Sequence, residues 1–269
     1  MATSREALSK FCARECDKIP YQFNKGEKML KILFSPSEGK NSGGRETKNP
    51  LFGALNARDE ILGEYYKIVR GGDEEEIKNL FGFKKFSECA PFLSDLDGSE
   101  LMCAIERYQG VAYDYLEFFT LTEQAKEYLK RNAIIFSNLY GPILGGDAIA
   151  NYKVKQGNDV GKIAPDKFYK ERFGYQLDLY LAKDELLDLR AGYYDKFYKI
   201  SKPYTTLKFL KDGKTISHWA KAYRGIVLKQ VAKHNINSMK EFMELEIEGL
   251  SVLEIKVIKN KTEIVYNSN

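Results

Sequence analysis

The sequence has two histidines, four cysteines and no long apolar run among its 269 residues. With so few histidines and no Glu-x-x-His pair, a ferritin-type iron site is not supported. No stretch approaches the ~20 apolar residues that a membrane-spanning helix needs, and the first residues lack the apolar core of a signal peptide. The P-loop motif and the G-x-S-x-G elbow are also absent. These absences predict a cytoplasmic protein that binds no metal, cofactor or membrane.

The four cysteines are Cys12, Cys16, Cys89 and Cys103. Thiols of cytosolic proteins are kept reduced. The Cys12-x3-Cys16 pair has no second cysteine pair and no nearby histidine that would complete a zinc site. We expect these residues to be buried as small apolar side chains, and a redox switch is the alternative.

The length and composition indicate one large domain. The chain is 43% apolar and 30% charged, which is ordinary for a globular protein, and its length allows a sizeable core. The first predicted strand starts directly at Met29, after the polar run Lys25–Lys28. We therefore interpret residues 29–269 as the domain. Residues 1–28 are an N-terminal extension, either a mis-assigned start or an amphipathic helix.

The hydrophobic pattern predicts an α+β fold, in which helices surround a mixed or antiparallel central sheet. Asp73 is expected to cap one helix, and Thr122 begins another that runs to Arg131. The longest late helix is predicted over residues 217–234. The predicted strands include residues 30–34, 133–136, 175–180 and 252–258.

The charge is unevenly distributed along the chain. Residues 190–234 contain eleven lysines and arginines against two aspartates, whereas residues 73–127 contain thirteen acidic residues against five basic ones. A basic third beside an acidic third is the pattern expected when one face meets polyanions and another is simply solvated.

A polar turn follows the first predicted strand. It reads Ser35-Pro36-Ser37-Glu38-Gly39-Lys40 and places a carboxylate, an ammonium group and two hydroxyl groups within six residues. Pro36 fixes φ and Gly39 allows a positive φ, so the chain can turn sharply and present these groups together. We take Glu38 and Lys40 as the candidate catalytic pair, since burial can tune a lysine beside a carboxylate. Both serines are candidate ligand contacts, and the alternative is a solvated loop.

The predicted helix 217–234 carries basic residues on one side. At 100° per residue, Trp219 and Tyr223 share a face that is expected to be buried, and Lys221, Gly225 and Lys229 lie opposite. A glycine inside a helix costs ~1 kcal/mol relative to alanine. We therefore interpret Gly225 as a place where a phosphate comes close to the backbone. The alternative is a solvated basic face with a glycine at a packing contact.

Asp188 and Arg190 form a second candidate phosphate site. The arginine fork suits a carboxylate or a phosphate, and Asp188 could orient it. A structural salt bridge between the two residues is the equal alternative.

Five polar signatures occur in a fixed order, of which the first is the turn at residues 35–40. The others are Arg107-Tyr108-Gln109-Gly110-Val111-Ala112-Tyr113, Leu139-Tyr140-Gly141 with Tyr152-Lys153, Asp188-Leu189-Arg190-Ala191-Gly192-Tyr193-Tyr194, and Ser217-His218-Trp219-Ala220-Lys221. Together they resemble the YaaA family of bacterial peroxide-stress proteins, in the branch whose N-terminal motif reads P-P-S-E-G-K. The resemblance runs from about residue 29 to about residue 258.

The resemblance implies that the ordered motifs converge on one cavity. The candidate ligand- or phosphate-binding residues are then Ser35, Ser37, Arg107, Tyr108, Tyr113, Lys153, Asp188, Arg190, Tyr194, His218, Lys221 and Lys229. It also implies a DNA-binding fold with a positively charged cleft and a helix-hairpin-helix element. The nearest hairpin candidate is residues 139–150, where Gly145 and Gly146 are adjacent. A tight turn that serves only the fold is the alternative there.

Two functional interpretations follow. The first is a cytoplasmic peroxide-stress protein that binds DNA, expected to be double-stranded, through a basic cleft and limits iron-linked oxidative damage. The alternative is an enzyme that acts on a nucleotide or another phosphorylated small molecule with Glu38 and Lys40. The sequence does not decide between catalysis and binding.

Overall fold

The computed structural model describes residues 28–45, 56–211, 213–215 and 219–268. In chain order, its strands and α-helices are β1 (Leu30–Phe34), β2 (Gly39–Lys40), α1 (Asn56–Gly71), α2 (Glu74–Phe81), β3 (Met102–Cys103), α3 (Ala104–Arg107), β4 (Tyr108–Gln109), α4 (Val111–Leu116), α5 (Glu123–Asn132), β5 (Ala133–Ser137), β6 (Gly141–Leu144), β7 (Ala148–Ile149), α6 (Pro165–Tyr180), β8 (Glu185–Asp188), β9 (Tyr204–Lys211), β10 (Lys214–Thr215), α7 (Trp219–Lys233), α8 (Met239–Glu244), β11 (Leu250–Ile258) and β12 (Lys261–Ser268). Short 3₁₀ segments cover Phe86–Phe92, Phe118–Thr120 and Gly192–Lys196.

The central sheet is mixed, which confirms the predicted fold class. Its strand order is β11-β12-β9-β8-β1-β5-β6, with β10 paired to β9. The inner pairs β12–β9, β9–β8, β8–β1 and β1–β5 are parallel. The outer pairs β5–β6 and β11–β12 are antiparallel. Parallel pairing therefore dominates the middle of the sheet, and β5, next to the edge strand β6, is buried along its whole length.

The direction in which strands are added reverses at β1. After β1 the chain places β5 on one side, and it later places β8 on the other side. In open α/β sheets, such a reversal leaves a crevice outside the carboxyl ends of the two strands, and ligands bind there. The ends of β1 and β8, near Phe34 and Asp188, are therefore where this topology favours a site.

Local signals account for several helix boundaries. The Asp73 carboxylate accepts a hydrogen bond from the Glu76 amide at the start of α2. The Thr122 hydroxyl likewise accepts from the Ala125 amide at the start of α5. Each interaction satisfies an amide that the helix leaves without an internal partner, as the sequence predicted. None of the described helices is long and apolar enough to cross a membrane.

The prediction of a strand at residues 175–180 is wrong, because these residues form the last turns of α6. Leu177 is completely buried, while Tyr175 is 59% exposed and Leu179 is 39% exposed. Alternation over six residues is too short to separate a strand from a helix with one buried residue per turn. Pro165 is in the first turn of α6 and suits a helix start.

Residues 139–150 do not form two helices, so the hairpin candidate is corrected to the tight-turn alternative. They contain β6 and β7, with Gly145 and Gly146 in the turn between the strands. A Cβ atom at Gly145 would lie 2.7 Å from the carbonyl oxygen of Leu129. The glycine therefore allows close packing against α5.

Two of the four cysteines lie within the described residues. Cys89 and Cys103 are buried thiols, as expected. Cys12 and Cys16 lie outside the described residues.

Candidate functional site

A cleft of about 330 Å³ lies at the carboxyl ends of β1 and β8, and we call it the strand-end cleft. Its walls come from five separate parts of the chain. The lining residues are Phe34, Ser35–Glu38, Gly110–Tyr113, Gln156, Leu189, Ala191, Tyr194, Lys221 and Arg224. Four of the five sequence signatures therefore contribute residues to this cleft. The remaining signature includes Lys153, which contacts the cleft residue Glu38.

Ser35 joins the two strand ends at the floor of the cleft. Its hydroxyl oxygen accepts a hydrogen bond of 2.8 Å from the Ala191 amide after β8. Its carbonyl oxygen accepts a hydrogen bond of 2.8 Å from the Tyr113 hydroxyl. Burial raises the pKa of Tyr113, so this hydroxyl stays protonated and remains a donor. These contacts fix the turn that carries Glu38.

Glu38 is a fixed carboxylate on the cleft wall. One oxygen accepts from the Lys153 ammonium group at 3.1 Å, and the other accepts from the Gln156 amide at 3.0 Å. Burial alone would raise the pKa of Glu38, but the hydrogen bonds from Gln156 and Lys153 outweigh it and lower the pKa. The side chain is therefore ionised at neutral pH, and it can accept a proton or a hydroxyl hydrogen bond.

Lys40 lies behind this wall and is not one of the lining residues. Its ammonium nitrogen is 3.9 Å from the ring centre of Tyr152 and 5.3 Å from that of Tyr108. Burial, followed by repulsion from Lys153, lowers the pKa of Lys40 to about 7, although the Glu38 charge opposes the change. The prediction that Lys40 shares the cavity with Glu38 holds only in the sense that the two are neighbours. The Lys40 side chain is therefore not placed to contact a ligand in the cleft.

A chain of buried hydroxyl groups supports the Lys40 side chain. The Tyr108 and Tyr152 hydroxyl oxygens are 2.9 Å apart, and the Tyr152 hydroxyl is 2.7 Å from the Ser137 hydroxyl. Burial raises the pKa of Tyr108 and of Tyr152, so both rings remain neutral. Tyr108 therefore packs under the site instead of lining it.

Arg107 has a structural position. It is completely buried, and its guanidinium group donates to the carbonyl oxygens of Asn41, Glu100 and Ile149 at 2.6, 2.9 and 3.3 Å. These bonds connect three chain segments. The sequence-based expectation of ligand contact at Arg107 is not matched by its placement, because the guanidinium is occupied by backbone.

Asp188 and Arg190 form the salt bridge that the sequence left as an alternative. Arg190 donates two hydrogen bonds of 2.8 Å to the two Asp188 oxygens. It also donates to the carbonyl oxygens of Tyr194 and Tyr198 at 3.1 and 2.9 Å. Both charged side chains are buried, so the pair fixes the loop after β8 and leaves no guanidinium face toward the cleft.

Helix α7 departs from the prediction at Gly225 and Trp219. Gly225 is buried against α4, and a Cβ atom there would lie 2.0 Å from the Ala112 carbonyl oxygen. Trp219, expected in the core, is 50% exposed. The glycine thus permits helix packing, and the interpretation of Gly225 as a phosphate contact is corrected to the packing alternative.

Two other predicted residues are away from the cleft or cannot be placed. Lys229 forms an ion pair of 2.6 Å with Glu117 and is not a lining residue. His218 lies outside the described residues. Lys221, by contrast, lines the cleft and is exposed.

Sequence reasoning missed Gln156 and Arg224. The backbone amide of Gln156 donates a hydrogen bond to the Glu38 carboxylate. The side-chain oxygen of Gln156 accepts a hydrogen bond of 3.4 Å from the Tyr194 hydroxyl. Arg224 is half-buried, and burial lowers its pKa, although the charges of Asp188 and Asp195 oppose the change. Within the described part of the chain, Arg224 has no ion-pair partner within 4.0 Å. Its position three residues after Lys221 was the available signal, since such residues share a helix face.

Sequence comparison finds a family match and relatives over most of the chain. A family profile described as peroxide stress protein YaaA matches residues 30–255. An uncharacterized protein of Campylobacter jejuni is 43% identical over 243 residues, which cover 88% of this chain and 98% of that protein. A UPF0246 protein of Fusobacterium nucleatum is 29% identical and covers 83% of this chain and 93% of its own. A UPF0246 protein of Corynebacterium glutamicum is 31% identical, with 75% and 84% covered.

Proposed function

Because this chain belongs to the YaaA family of peroxide stress proteins, we propose that it serves the peroxide response by binding a phosphate-bearing ligand of nucleotide size in the strand-end cleft. The observation that carries the proposal is the pair Lys221 and Arg224. Both line the cleft from successive turns of α7, and neither has an ion-pair partner among the described residues. By contrast, Arg190 forms an ion pair with Asp188, and Lys229 forms an ion pair with Glu117.

A half-buried guanidinium without an ion-pair partner is costly unless an anion completes it. Arg224 fits this description, and the arginine fork suits a phosphate. The cleft volume of about 330 Å³ is at the lower end of small-molecule pockets, which span ~300–1,000 Å³. Its place at the carboxyl ends of β1 and β8, where the strand order reverses, is also the usual ligand position in such sheets.

Glu38 has a different part in this proposal. An ionised carboxylate repels phosphate, so we assign Glu38 to a sugar hydroxyl or to a water molecule. If the protein is an enzyme, Glu38 is the general base, because it is ionised and lines the cleft. Lys40, which lies behind the wall, would then tune Glu38 through its charge.

Calorimetric titration with adenosine monophosphate and with inorganic phosphate tests the proposal. We expect Arg224→Gln and Lys221→Gln each to weaken nucleotide binding by about tenfold, which corresponds to ~1.4 kcal/mol for a lost charged contact. Lys229→Gln is the matched control, since it removes a lysine of the same helix whose partner is Glu117. Equal nucleotide affinity in all four proteins, or no binding by the wild type, would contradict the proposal.

DNA is the second candidate ligand. The supporting observation is that six lysines between residues 190 and 234 are exposed among the described residues: Lys196, Lys199, Lys211, Lys214, Lys221 and Lys233. Exposed lysines suit the phosphate backbone of DNA, to which they bind without reading sequence. In this form, the protein would cover DNA and limit iron-linked oxidative damage to it.

A further inference from the structure

Strand β11 is one of the two edge strands of the central sheet and is exposed on both faces. Among the described strands, only β12 pairs with it. Its apolar side chains remain in water to an unusual degree: Val252 is 51% exposed, Leu253 61%, Ile255 46%, Val257 73% and Ile258 51%. By contrast, Ile264 and Val265 on the adjacent β12 are buried.

A long apolar edge strand is a liability in a monomer. Its outer N–H and C=O groups form a template for another strand, and native proteins usually shorten, charge or cover such edges. A contiguous exposed apolar surface of this kind marks an interaction site. The charges present on β11 are Glu254 and Lys256, which flank Ile255 symmetrically and form an ion pair of 2.9 Å with each other within the strand.

This symmetry determines which partner fits. When two copies of β11 pair antiparallel about a two-fold axis, opposed side chains share a face of the sheet. Even-numbered residues therefore lie opposite even-numbered ones, and odd-numbered residues lie opposite odd-numbered ones. With the axis at Ile255, Glu254 of each copy lies opposite Lys256 of the other. The residues that flank these charges, Leu253 and Val257, are both apolar.

The neighbouring registers are unfavourable. An axis at Glu254 would put two glutamates opposite each other, and an axis at Lys256 would put two lysines opposite each other. Like charges directly opposed across strands destabilise a pair, whereas opposite charges stabilise it. The register shift of β11 against β12 lies between Val252 and Glu254, so residues 254–256 belong to the regular ladder.

We propose that β11 is a homodimerisation edge, at which a second copy of this chain pairs antiparallel through residues 254–256 and continues the central sheet across the two-fold axis. The inference is independent of the ligand proposed for the strand-end cleft. The interface is small, so the association is weak and depends on protein concentration.

Sedimentation velocity with two charge-reversal variants tests this pairing. Glu254→Lys puts like positive charges opposite each other, and Lys256→Glu does the same with negative charges. We expect each variant alone to weaken self-association by ~tenfold or more, while circular dichroism remains that of the folded wild type. An equimolar mixture of the two variants should regain the dimer, because every opposed pair is then oppositely charged. Lys240→Glu, an exposed lysine on α8, should dimerise like the wild type.

Three results would overturn the proposal. The first is a wild type that stays monomeric at high micromolar concentration. The second is a mixture of the two variants that stays monomeric while the wild type dimerises. The third is a monomer whose β11 amides are protected from hydrogen exchange only while residues 1–27 are present, because the edge would then belong to that segment.

Discussion

Gly225 of α7 and Ala112 of α4 are in backbone contact, and a Cβ atom at Gly225 would lie 2.0 Å from the Ala112 carbonyl oxygen. This contact presses the start of α4 against α7 and brings Ala112 and Arg224 into the same cleft wall. The two helices pack closely enough that a glycine is required at position 225. The cationic residues that remain at the cleft are therefore Lys221 and Arg224.

Gly225→Ala should destabilise the protein by ~1–3 kcal/mol, because the overpacking at Ala112 exceeds the gain in helix propensity of ~1 kcal/mol. Urea unfolding measures the difference. Gly174→Ala in α6 is the matched control, since nothing lies within 4 Å of its added Cβ atom. That control should be neutral or slightly stabilising. A Gly225→Ala protein as stable as Gly174→Ala would contradict the packing role.

Asp188→Asn should cost ~3–5 kcal/mol of unfolding free energy, because it leaves the buried Arg190 guanidinium with only the exposed Asp195 carboxylate, 3.9 Å away, as a charge partner. Chemical denaturation followed by circular dichroism measures this loss. Glu60→Gln breaks the Arg172–Glu60 pair, in which both side chains are 55% exposed, and should cost less than ~1 kcal/mol. Similar losses in the two variants would show that Arg190 finds another partner.

Lys40 makes stability depend on pH in a defined direction. The pKa of Lys40 is about 7 in the folded protein against an ordinary value of 10.5. Between these values the unfolded chain binds more protons, so the unfolding free energy rises with pH, by at most ~1.4 kcal/mol per pH unit for this half-buried group. Lys40→Met should remove that rise.

The measurement is the difference in unfolding free energy between the wild type and Lys40→Met from pH 6.5 to 9.5. We expect the difference to shift in favour of the wild type as the pH increases. Lys67→Met, a change at an exposed lysine of α1, should show no such shift. A difference that is constant over this range would mean that Lys40 keeps an ordinary pKa.

DNA binding, if present, should weaken steeply with salt, because each neutralised phosphate contributes ~0.9 to the slope of log affinity against log salt. Charge reversal of both Lys221 and Arg224 should lower the affinity for all duplex sequences alike and reduce this slope by about two. Fluorescence anisotropy over a salt series measures both quantities. An unchanged slope in this double variant would exclude the cleft as the DNA contact.

The fold was partly predictable because some of its determinants are local. The apolar runs of β1 and β5, and the caps at Asp73 and Thr122, need only a few neighbouring residues. The parallel direction of the inner strands was not visible, since β1 pairs with β5 about a hundred residues later. The helix at residues 175–180 was missed because one buried residue in a window of six fits both the helical period of 3.6 residues and the strand period of two residues.

The candidate site was predictable in outline, and its roles were not. The turn at Glu38, the motif that contains Tyr113 and the motif that contains Tyr194 line one cleft. The composition of a motif cannot reveal that the guanidinium of Arg107 would be surrounded by backbone carbonyl oxygens. Arg224 escaped notice because the recognised motif ends at Lys221, although helical spacing places both residues on one face.

The most direct test of the central claim is a crystal structure of the protein grown with adenosine monophosphate. The account predicts that the phosphate lies in the strand-end cleft within hydrogen-bond distance of Arg224, with Lys221 beside it and Glu38 facing a hydroxyl group or water. A nucleotide bound elsewhere, or a cleft without nucleotide at concentrations that saturate binding in solution, would contradict it.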